Sequence, residues 1–376
     1  MSGAWTDEAG AARLREELVA ELVAGGAIRS ESWRRAFLAV PRHRFLETVY
    51  RRSRVRGQVC YELDRPSLEQ AYRDDSLVVR VDSSGRRATS SSTTPSLMAS
   101  MLEALDVDHG HRVLEIGTGT GYNAALLCER LGSETVTSID LHPELVEAAG
   151  RCLADLGYRP RLAVADGRLG YPPAAPYDRI IATCSVRRIP TSWLAQTRPG
   201  GIIVANLQGD HTSATVRLVV GGNGSAEGRF LPDDAAFIEI EGEEERTRLS
   251  MQELADRWIR GEAPTRPAHV PEAMEDGRFW FLTQRLLPHV VLFSTEGRPW
   301  CLVDYRDLSW ARVEESEAGP VVAQGGPQRL WDRLEEADAL WTGSGRPGFE
   351  RYGLTIEGEG RQRLWLDAPE SHGWDL

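Results

Sequence analysis

The sequence RVLEIGTGTGYN, residues 112–123, contains the pattern that decides the fold. Its first part, Arg112 to Ile116, predicts a short buried strand, and Tyr122 to Leu131 have the periodicity of a helix. Glycines occupy positions 117, 119 and 121 between them. Glycine allows a sharp turn and a close approach of the backbone to a ligand, and a helix start offers free N–H groups. The stretch therefore predicts a strand, a tight turn and a helix that bind a ligand.

The glycine spacing and three acidic residues indicate which ligand this is. The pattern is G-x-G-x-G, whereas the dinucleotide fingerprint is G-x-G-x-x-G, so a nicotinamide dehydrogenase is disfavoured. Glu115 stands two residues before the first glycine. Asp140 ends a second strand pattern, where its carboxylate would reach a ribose diol, and Asp166 ends a third, where it suits an adenine amino group. Three strand ends, each with an acid, predict a nucleoside-containing ligand.

The string EIGTGTG, residues 115–121, resembles the first motif of class I S-adenosylmethionine (AdoMet) methyltransferases. The resemblance implies an α/β fold with a Rossmann-like, doubly wound sheet, and AdoMet as the cofactor. Together with the strand ends, it implies these cofactor-binding residues: Glu115, Gly117, Thr118, Gly119, Asp140, Asp166 and Gly167.

Composition excludes several other classes of protein. The 376 residues suit about two domains, and the 41% of hydrophobic residues suffice for a packed core. A formal charge of -12 argues against a nucleic-acid partner. There is no long apolar run and no signal-peptide pattern, so we expect a soluble, cytoplasmic protein without a membrane partner. The five cysteines are scattered and the histidines lack further ligands nearby, so no metal site is predicted.

Two N-terminal strings narrow the family. VPRHRFL at residues 40–46 and AYRDDSLVVRV at residues 71–81 resemble the N-terminal region of protein-L-isoaspartate O-methyltransferases. The resemblance continues through PYDRIIATCS, residues 176–185, and TRPGGIIV, residues 197–204, which look like the fourth and fifth strands of that fold. Before the VPRHRFL string, leucines at helical spacing predict an amphipathic first helix, and a second helix is expected at residues 32–39.

The substrate loop of that family is altered here. In place of its G-x-G-Q-T-I-S-x-P-H loop stands ATSSSTTPSLMASML, residues 88–102, in which Pro95 keeps the place of the family's proline. A flexible Ser/Thr linker is the alternative interpretation, but Pro95 and the helical pattern after it favour an ordered loop. The resemblance places the acceptor carboxylate at this loop, near Ser92, Thr93 and Thr94.

A carboxylate acceptor would need little catalytic machinery. It is already ionised at neutral pH, since its reference pKa is about 4, and no His–Asp or Cys–His pair is evident near the cofactor motifs. Hydroxyl groups can hold a carboxylate without the strong pairing that arginine would impose. Three arginine pairs, at 51/52, 86/87 and 187/188, would either receive an acidic peptide or serve as ordinary surface charge.

The C-terminal half reads as a mainly antiparallel α+β region. GGNGSAEG at residues 221–228 and EGEEER at residues 241–246 predict turns or solvated stretches. The strings VVLF and WCLVD, with the turn TEGR between them, predict one hairpin. The strings LTI and RQRLWLD, with EGEG between them, predict a second hairpin. A helix is expected at residues 328–341. The tryptophans concentrated here favour a core over a peptide-binding surface. The predicted domains are a helical, substrate-side region at 1–85, the AdoMet-binding core at 86–215 and a peptide-recognition domain at 216–376.

The whole chain is similar to methyltransferases associated with ATP-grasp ligases that make graspetides, ribosomal peptides cross-linked through side-chain esters or amides. This resemblance implies an AdoMet-dependent O-methyltransferase for an aspartate side chain of a modified precursor peptide, which then forms a succinimide (aspartimide). An ATP-grasp ligase of the same pathway would be a partner. Two alternatives remain open: repair of isoaspartate, and a non-catalytic AdoMet-binding scaffold in peptide maturation.

Overall fold

The computed structural model describes residues 7–55, 58–242, 262–293 and 300–376. The chain begins with two helices, α1 (Glu8–Ala24) and α2 (Glu31–Ala39), as the leucine spacing predicts. The side chain of Asp7 accepts a hydrogen bond from the first turn of α1, and Ser30 does the same for α2. These caps satisfy N–H groups that have no partner inside the helix, so both helices begin where the sequence supplies a capping residue.

A four-stranded antiparallel sheet follows, which the sequence analysis did not predict. It consists of β1 (Val49–Val55), β2 (Gln58–Asp64), β3 (Leu77–Val81) and β4 (Ala88–Ser92), in the order β2-β1-β3-β4, with a short helix α3 (Leu68–Ala71) between β2 and β3. The region predicted as helical at 1–85 is therefore only partly helical. The strand β4 leads into α4 (Pro95–Leu105), so the Ser/Thr run is ordered structure and the linker interpretation is wrong.

The central part of the chain forms the predicted Rossmann-like unit. Its elements are β5 (Val113–Ile116), α5 (Tyr122–Leu131), β6 (Val136–Asp140), α6 (Pro143–Asp155), β7 (Arg161–Val164), β8 (Tyr177–Val186), α7 (Thr191–Gln196) and β9 (Thr197–Gln208). The five strands are parallel in the order β7-β6-β5-β8-β9. Parallel strands buried on both faces explain the apolar runs that predicted them.

In its described residues, the C-terminal half adds antiparallel strands and two helices. Its elements are β10 (Ser213–Val220), β11 (Ala226–Asp234), β12 (Thr265–Pro267), α8 (Gly277–Leu286), β13 (Val290–Phe293), β14 (Cys301–Asp304), β15 (Trp310–Ser316), β16 (Gly319–Gly325), α9 (Leu330–Gly343), β17 (Tyr352–Ile356), β18 (Gln362–Leu366) and β19 (Gly373–Asp375). Both predicted hairpin pairs and the helix are confirmed, although the TEGR turn lies outside the described residues. GGNGSAEG is a turn only at its start, because β11 begins at Ala226.

Five of these strands, β10, β11, β17, β18 and β19, extend the central sheet. Ten strands run in the order β19-β18-β17-β11-β10-β9-β8-β5-β6-β7, and a separate five-stranded sheet has the order β12-β16-β15-β14-β13. The predicted boundary at residue 215 falls inside β10. One cluster of buried side chains includes Ile203 of β9, Phe281 of α8 and Leu354 of β17. The two predicted regions thus share a sheet and a core.

Four of the eight tryptophans of the C-terminal half are buried in the described part of the chain, and three of these, Trp280, Trp331 and Trp341, belong to that core. Trp280, Trp331, Trp341 and Trp365 are buried, which supports the core interpretation for these four. No helix in the described part of the chain is long and apolar enough to cross a membrane.

Candidate active site

A cleft opens at the carboxyl ends of β5, β6 and β8. Its empty volume, open mouth included, is about 960 Å³. Three segments line it. We call residues 115–120, 122–123, 139–142 and 166–167 the cofactor wall, Thr89–Thr93 the acceptor wall, and residues 238–241 the cover segment. Ligands of open α/β sheets bind at this edge.

The glycine turn of the cofactor wall requires glycine for steric reasons. Gly117 has a φ of +99°, a conformation that residues with a Cβ rarely adopt. A Cβ at Gly117 would also lie 2.7 Å from the hydroxyl oxygen of Thr183. That hydroxyl cannot easily move, because it donates to the carbonyl oxygens of Gly117 at 2.7 Å and Ile116 at 3.2 Å. The turn therefore brings its backbone directly to the floor of the cleft.

Glu115 supports this turn from below. It is completely buried, and its two oxygens accept hydrogen bonds from Asn123 at 2.7 Å and from Ser138 at 2.5 Å. The hydroxyl of Ser138 in turn lies 2.7 Å from that of Thr118. Burial raises the pKa of Glu115 to about 7, against the opposing effect of those hydrogen bonds. The predicted residues Glu115 and Thr118 thus belong to one network under the turn.

The other two predicted acids lie at the cleft in different surroundings. The carboxylate of Asp140 accepts hydrogen bonds from the backbone N–H groups of Gly119 at 2.9 Å and His142 at 3.1 Å, which orients it at the end of β6. Asp166 is paired with Arg168, whose Nη2 lies 2.6 Å from Oδ2. The hydrogen bonds from Arg168 lower the pKa of Asp166.

The residues of the cofactor wall fit AdoMet. The glycine turn exposes backbone where a side chain would fill the space, as at Gly117. The carboxylate of Asp140 retains lone pairs for a ribose diol beside that turn. The side-chain oxygen of Asn123 is buried at the cleft and has no hydrogen-bond partner in the described part of the chain, so it can accept from a ligand.

The acceptor wall is held by a buried arginine. Arg42, from the VPRHRFL string, is fully buried, and burial lowers its pKa. Its guanidinium donates to the backbone oxygens of Ala71, Arg73, Asp75 and Thr93 at 2.9–3.2 Å and contacts the hydroxyl of Ser92 at 3.4 Å. The side chain of Arg42, in the VPRHRFL string, therefore connects the AYRDDSLVVRV string to the Ser/Thr run. This connection explains why both N-terminal strings occur together with the loop at residues 88–102.

The three predicted acceptor residues do not share one environment. Ser92 and Thr93 line the cleft, and Ser92 is buried against Arg42. Thr94 is not among the lining residues; it precedes α4, and its side chain does not cap the helix. The structure thus brings two of the three to the cleft, together with Thr89, Ser90 and Ser91, which the prediction did not include.

The cover segment was missed by the sequence analysis. Its backbone follows that of Ser185, whose N–H donates to Ile238 at 3.0 Å and whose carbonyl accepts from Ile240 at 2.9 Å. Ile240 also packs over Gly167, since a Cβ at Gly167 would lie 3.0 Å from it. The alternation of apolar residues at 238 and 240 is the only sequence signal, and it is too short to stand out.

Two charged contacts connect the cover segment to the rest of the site. Glu241 lies 3.0 Å from Nε2 of His142, so the stretch interpreted as solvated supplies a cleft residue, and a His–acid pair forms where none was expected. Glu239 pairs with Arg187 at 2.6 Å, so Arg187 makes an ion pair within the protein. Arg86 and Arg87 are exposed at the turn before β4.

Comparisons with known proteins agree with this geometry. The family profile described as protein-L-isoaspartate(D-aspartate) O-methyltransferase (PCMT) matches residues 13–242. A protein-L-isoaspartate O-methyltransferase of Methanopyrus kandleri is 36% identical over 235 residues, which cover 62% of this chain and 93% of that relative. The enzyme of the same name from Ignicoccus hospitalis is 36% identical over 192 residues, covering 50% of this chain and 80% of the relative.

A solved protein-L-isoaspartate O-methyltransferase has the same fold over nearly the whole length. It aligns with 94% of this chain and 100% of its own, with a TM-score of 0.56 and 24% sequence identity. The alignment therefore extends into the C-terminal half, beyond the residues that the family profile matches.

Proposed function

This chain belongs to the protein-L-isoaspartate(D-aspartate) O-methyltransferase family and is an AdoMet-dependent carboxyl O-methyltransferase, and from that premise we propose that its acceptor is an aspartate side chain in a cross-linked ribosomal peptide. The observation that carries this proposal is the acceptor wall. Where the resembled family has G-x-G-Q-T-I-S-x-P-H, this chain presents five consecutive hydroxyl residues, Thr89–Thr93, along the cleft. A changed acceptor wall indicates a changed acceptor.

The geometry suits a reaction that depends on positioning. When bound, AdoMet supplies an activated methyl group for direct displacement by a carboxylate oxygen. The cofactor wall would hold the cofactor through the glycine turn and Asp140, and the hydroxyl of Thr93 would orient the acceptor carboxylate. Because that carboxylate is ionised at neutral pH, the chain need not remove a proton from it. Orientation of the two reactants alone contributes on the order of 7–11 kcal/mol to such reactions.

Methylation would prepare the aspartate for cyclisation. The methyl ester has a better leaving group than the free carboxylate. The backbone nitrogen of the next residue forms a bond to the ester carbonyl carbon, the bond to the methoxy oxygen breaks, and methanol leaves with the amide proton. The product is a succinimide, and no further residue of the enzyme is needed for that step.

Repair of isoaspartate is the second candidate. The names of the relatives and the family profile favour it. The C-terminal half does not distinguish the two candidates, since a solved protein-L-isoaspartate O-methyltransferase aligns along 94% of the chain. The acceptor wall does distinguish them, because it has lost the Ile-Ser and the His of the repair-type loop. The non-catalytic scaffold is not retained, because the family consists of enzymes.

Mass spectrometry of the reaction decides between the two acceptors. The enzyme is incubated with AdoMet and three peptides: a cross-linked aspartate peptide, its linear form and a linear isoaspartyl peptide. We expect a gain of one methyl group and then a loss of methanol on the cross-linked peptide alone. Methylation of the isoaspartyl peptide without the cross-linked one would establish repair instead.

A pair of variants tests whether the acceptor wall binds the carboxylate. Thr93→Val keeps the shape of a residue that lines the cleft and removes its hydroxyl, whereas Thr94→Val does the same to its neighbour outside the lining. Hydrogen bonds to charged groups contribute about 1.5–3 kcal/mol. We therefore expect Thr93→Val to lower kcat/KM roughly tenfold to a hundredfold and Thr94→Val to change it less than about threefold. Equal losses would contradict the assigned role of Thr93.

Two further expectations stay predictions: recognition of the peptide by the C-terminal half, and a partnership with an ATP-grasp ligase. Deleting the C-terminal half would not test the first cleanly. β17 pairs with β11, and Phe281 and Leu354 belong to the same buried cluster as Ile203 of the central sheet. Such a deletion would expose that core, so surface variants of the full chain are the appropriate test.

A further inference from the structure

The guanidinium of Arg80 lies where the three parts of the cleft meet. Arg80 belongs to β3, and its Nη1 donates to the hydroxyl of Thr89 in the acceptor wall at 2.7 Å. The same Nη1 lies 3.3 Å from Nε2 of His142 in the cofactor wall. It also lies 3.9 Å from Oε1 of Glu241 in the cover segment. On its other side, Nε of Arg80 donates to Glu144, in the first turn of α6, at 3.1 Å. One cation thus contacts all three segments that line the cleft.

His142 completes a bridge across the mouth of the cleft. Its Nε2 lies 3.0 Å from Oε1 of Glu241, so the contacts continue from Arg80 through His142 to Glu241. We call Arg80, His142 and Glu241 the clasp. Their side chains are 17–37% exposed, in contrast to the fully buried Glu115 below the turn. The clasp therefore lies at the mouth of the cleft and not on its floor.

The clasp depends on charge as well as on hydrogen bonds. Nε2 of His142 faces a donor, Nη1 of Arg80, and an acceptor, Oε1 of Glu241. A ring nitrogen either carries a proton or offers a lone pair, so Nε2 forms a hydrogen bond with only one of the two at a time. The opposite charges of Arg80 and Glu241 attract each other in either case. The carboxylate charge of Glu241 therefore holds the clasp together in both arrangements.

Opening the clasp requires changes of side-chain rotamer and no rearrangement of the backbone. The backbone of the cover segment is paired with Ser185, so Glu241 starts from a fixed position. The backbone N–H of His142 donates to Asp140 at 3.1 Å, which fixes the other side of the bridge beside the carboxylate that fits a ribose diol. Rotation of the long side chains of Arg80 and Glu241 is enough to separate them.

We infer that the clasp closes the mouth of the cleft over the nucleoside end of the bound cofactor, and that it must open for AdoMet to enter and for S-adenosylhomocysteine to leave. The bridge lies beside Asp140, so a ligand that passes between the acceptor wall and the cover segment has to part it. The clasp is a gate, which controls the rate of exchange and contributes no bond to the cofactor. This inference depends on the cofactor alone and goes beyond the proposed function, which concerns the acceptor.

The exchange rates of the cofactor product test the gate. The full chain is immobilised on a biosensor surface, and the rate constants for association and dissociation of S-adenosylhomocysteine are measured without peptide. Glu241→Gln keeps the shape of the side chain and removes its charge. A gate slows entry and exit alike, because the ligand passes it in both directions. We expect both rate constants to rise roughly fivefold, the size of one partly exposed ion pair, and the dissociation constant to stay within about twofold.

Glu144→Gln is the matched control. Glu144 pairs with the same guanidinium as Glu241, but in the described part of the chain it does not line the cleft. We expect this variant to leave both rate constants within about twofold of their original values. Unchanged rates in Glu241→Gln, equal rises in the two variants or no binding by the original protein would overturn the gate. A rise in the dissociation rate constant alone would also overturn it, because a residue that contacts the cofactor directly gives that result.

A double variant tests whether Arg80 and Glu241 act as one unit. Arg80→Gln should by itself raise both rate constants roughly fivefold. The effects of residues that share one interaction are not additive, so Arg80→Gln with Glu241→Gln should exchange the ligand no faster than the faster single variant. Multiplied effects, about twenty-five-fold, would contradict the clasp, because independent side chains give additive free energies. Since no acceptor is present, failure of the gate leaves the proposed function intact, and the reverse also holds.

Discussion

The cofactor wall and the acceptor wall face each other across one cleft but are built in different ways. The cofactor wall consists of short segments at the ends of consecutive strands, in which the glycine turn follows β5 directly and Asp140 ends the next strand. The acceptor wall is an edge strand whose position depends on Arg42, which lies 50 residues before Ser92 in the chain. Each segment of the cofactor wall follows from its own strand end, whereas the acceptor wall depends on a residue that is distant in the chain.

This difference separates what the family shares from what this chain changes. The cofactor wall is determined by backbone geometry, such as the positive φ of Gly117, and such geometry tolerates few residue types. The acceptor wall presents side chains and a strand edge, which can change without disturbing the glycine turn. The cofactor is therefore evident from the motif, while the acceptor depends on side chains that the motif does not specify.

Replacing Arg42 should give the largest effect and should fall on the acceptor wall. Arg42→Met leaves four carbonyl oxygens, one buried and three partly buried, without their donor, and a buried acceptor left unsatisfied costs about 1–3 kcal/mol. We expect the free energy of unfolding in urea to fall by about 3 kcal/mol or more. Arg42→Lys should lose less, because an ammonium keeps some of these bonds but not the fork of the guanidinium.

In these variants, the affinity for AdoMet reports on the cofactor wall and the affinity for the peptide reports on the acceptor wall. The hydrogen-bond partners of Arg42 in the described part of the chain all lie in residues 71–75 and 92–93, and none of them belongs to the cofactor wall. In Arg42→Lys, peptide affinity should therefore fall while calorimetry finds AdoMet affinity within about threefold of its original value. A parallel loss of both affinities would mean that the walls are not independent.

The same contrast explains how far sequence reasoning reached. The strand, turn and helix at 113–131 agree with the pattern almost to the residue, because hydrophobic periodicity and glycine positions are local signals. The sheet of β1–β4 was missed, since its strands carry charged and hydroxyl residues instead of apolar alternation. The cover segment was missed because it reaches the cleft through contacts with distant residues, such as its pairing with Ser185, 53 residues before Ile238. Local rules predict elements; contacts between distant segments need the structure.

The cofactor wall should show its own signature in the pH dependence of stability. The pKa of Glu115 in the folded protein is about 7, above its ordinary value of 4.5, so the folded state binds the proton more tightly than the unfolded state. The resulting stability is fully present below the unfolded pKa and is lost as the pH rises through about 7. A shift of this size changes the free energy of unfolding by on the order of 3 kcal/mol.

Glu115→Gln removes this titration and keeps the shape of the side chain. Urea unfolding without cofactor at pH 5 and pH 8 compares the two proteins. We expect the original protein to lose up to about 3 kcal/mol more than the variant between these pH values. An equal response would show that Glu115 is ionised in the folded protein. The acceptor wall should not influence the result, so Thr93→Val should titrate like the original protein.

A comparison of two glycines tests whether the cofactor wall needs glycine for its contacts as well as for its backbone. Gly117 and Gly157 have φ values of +99° and +87°, so alanine at either position adopts an unfavourable backbone conformation, at a cost of about 1–2 kcal/mol. Only at Gly117 does the new Cβ meet another atom, Thr183 Oγ1 at 2.7 Å, whereas nothing lies within 4 Å at Gly157. Gly117→Ala must displace a hydroxyl that anchors the turn, and we expect its AdoMet affinity to fall roughly tenfold to a hundredfold, or about 1.4–2.7 kcal/mol. Gly157→Ala should lose stability but bind AdoMet within about twofold of the original protein. If the two variants bound AdoMet equally well, the close approach of Gly117 to Thr183 would not contribute to AdoMet binding.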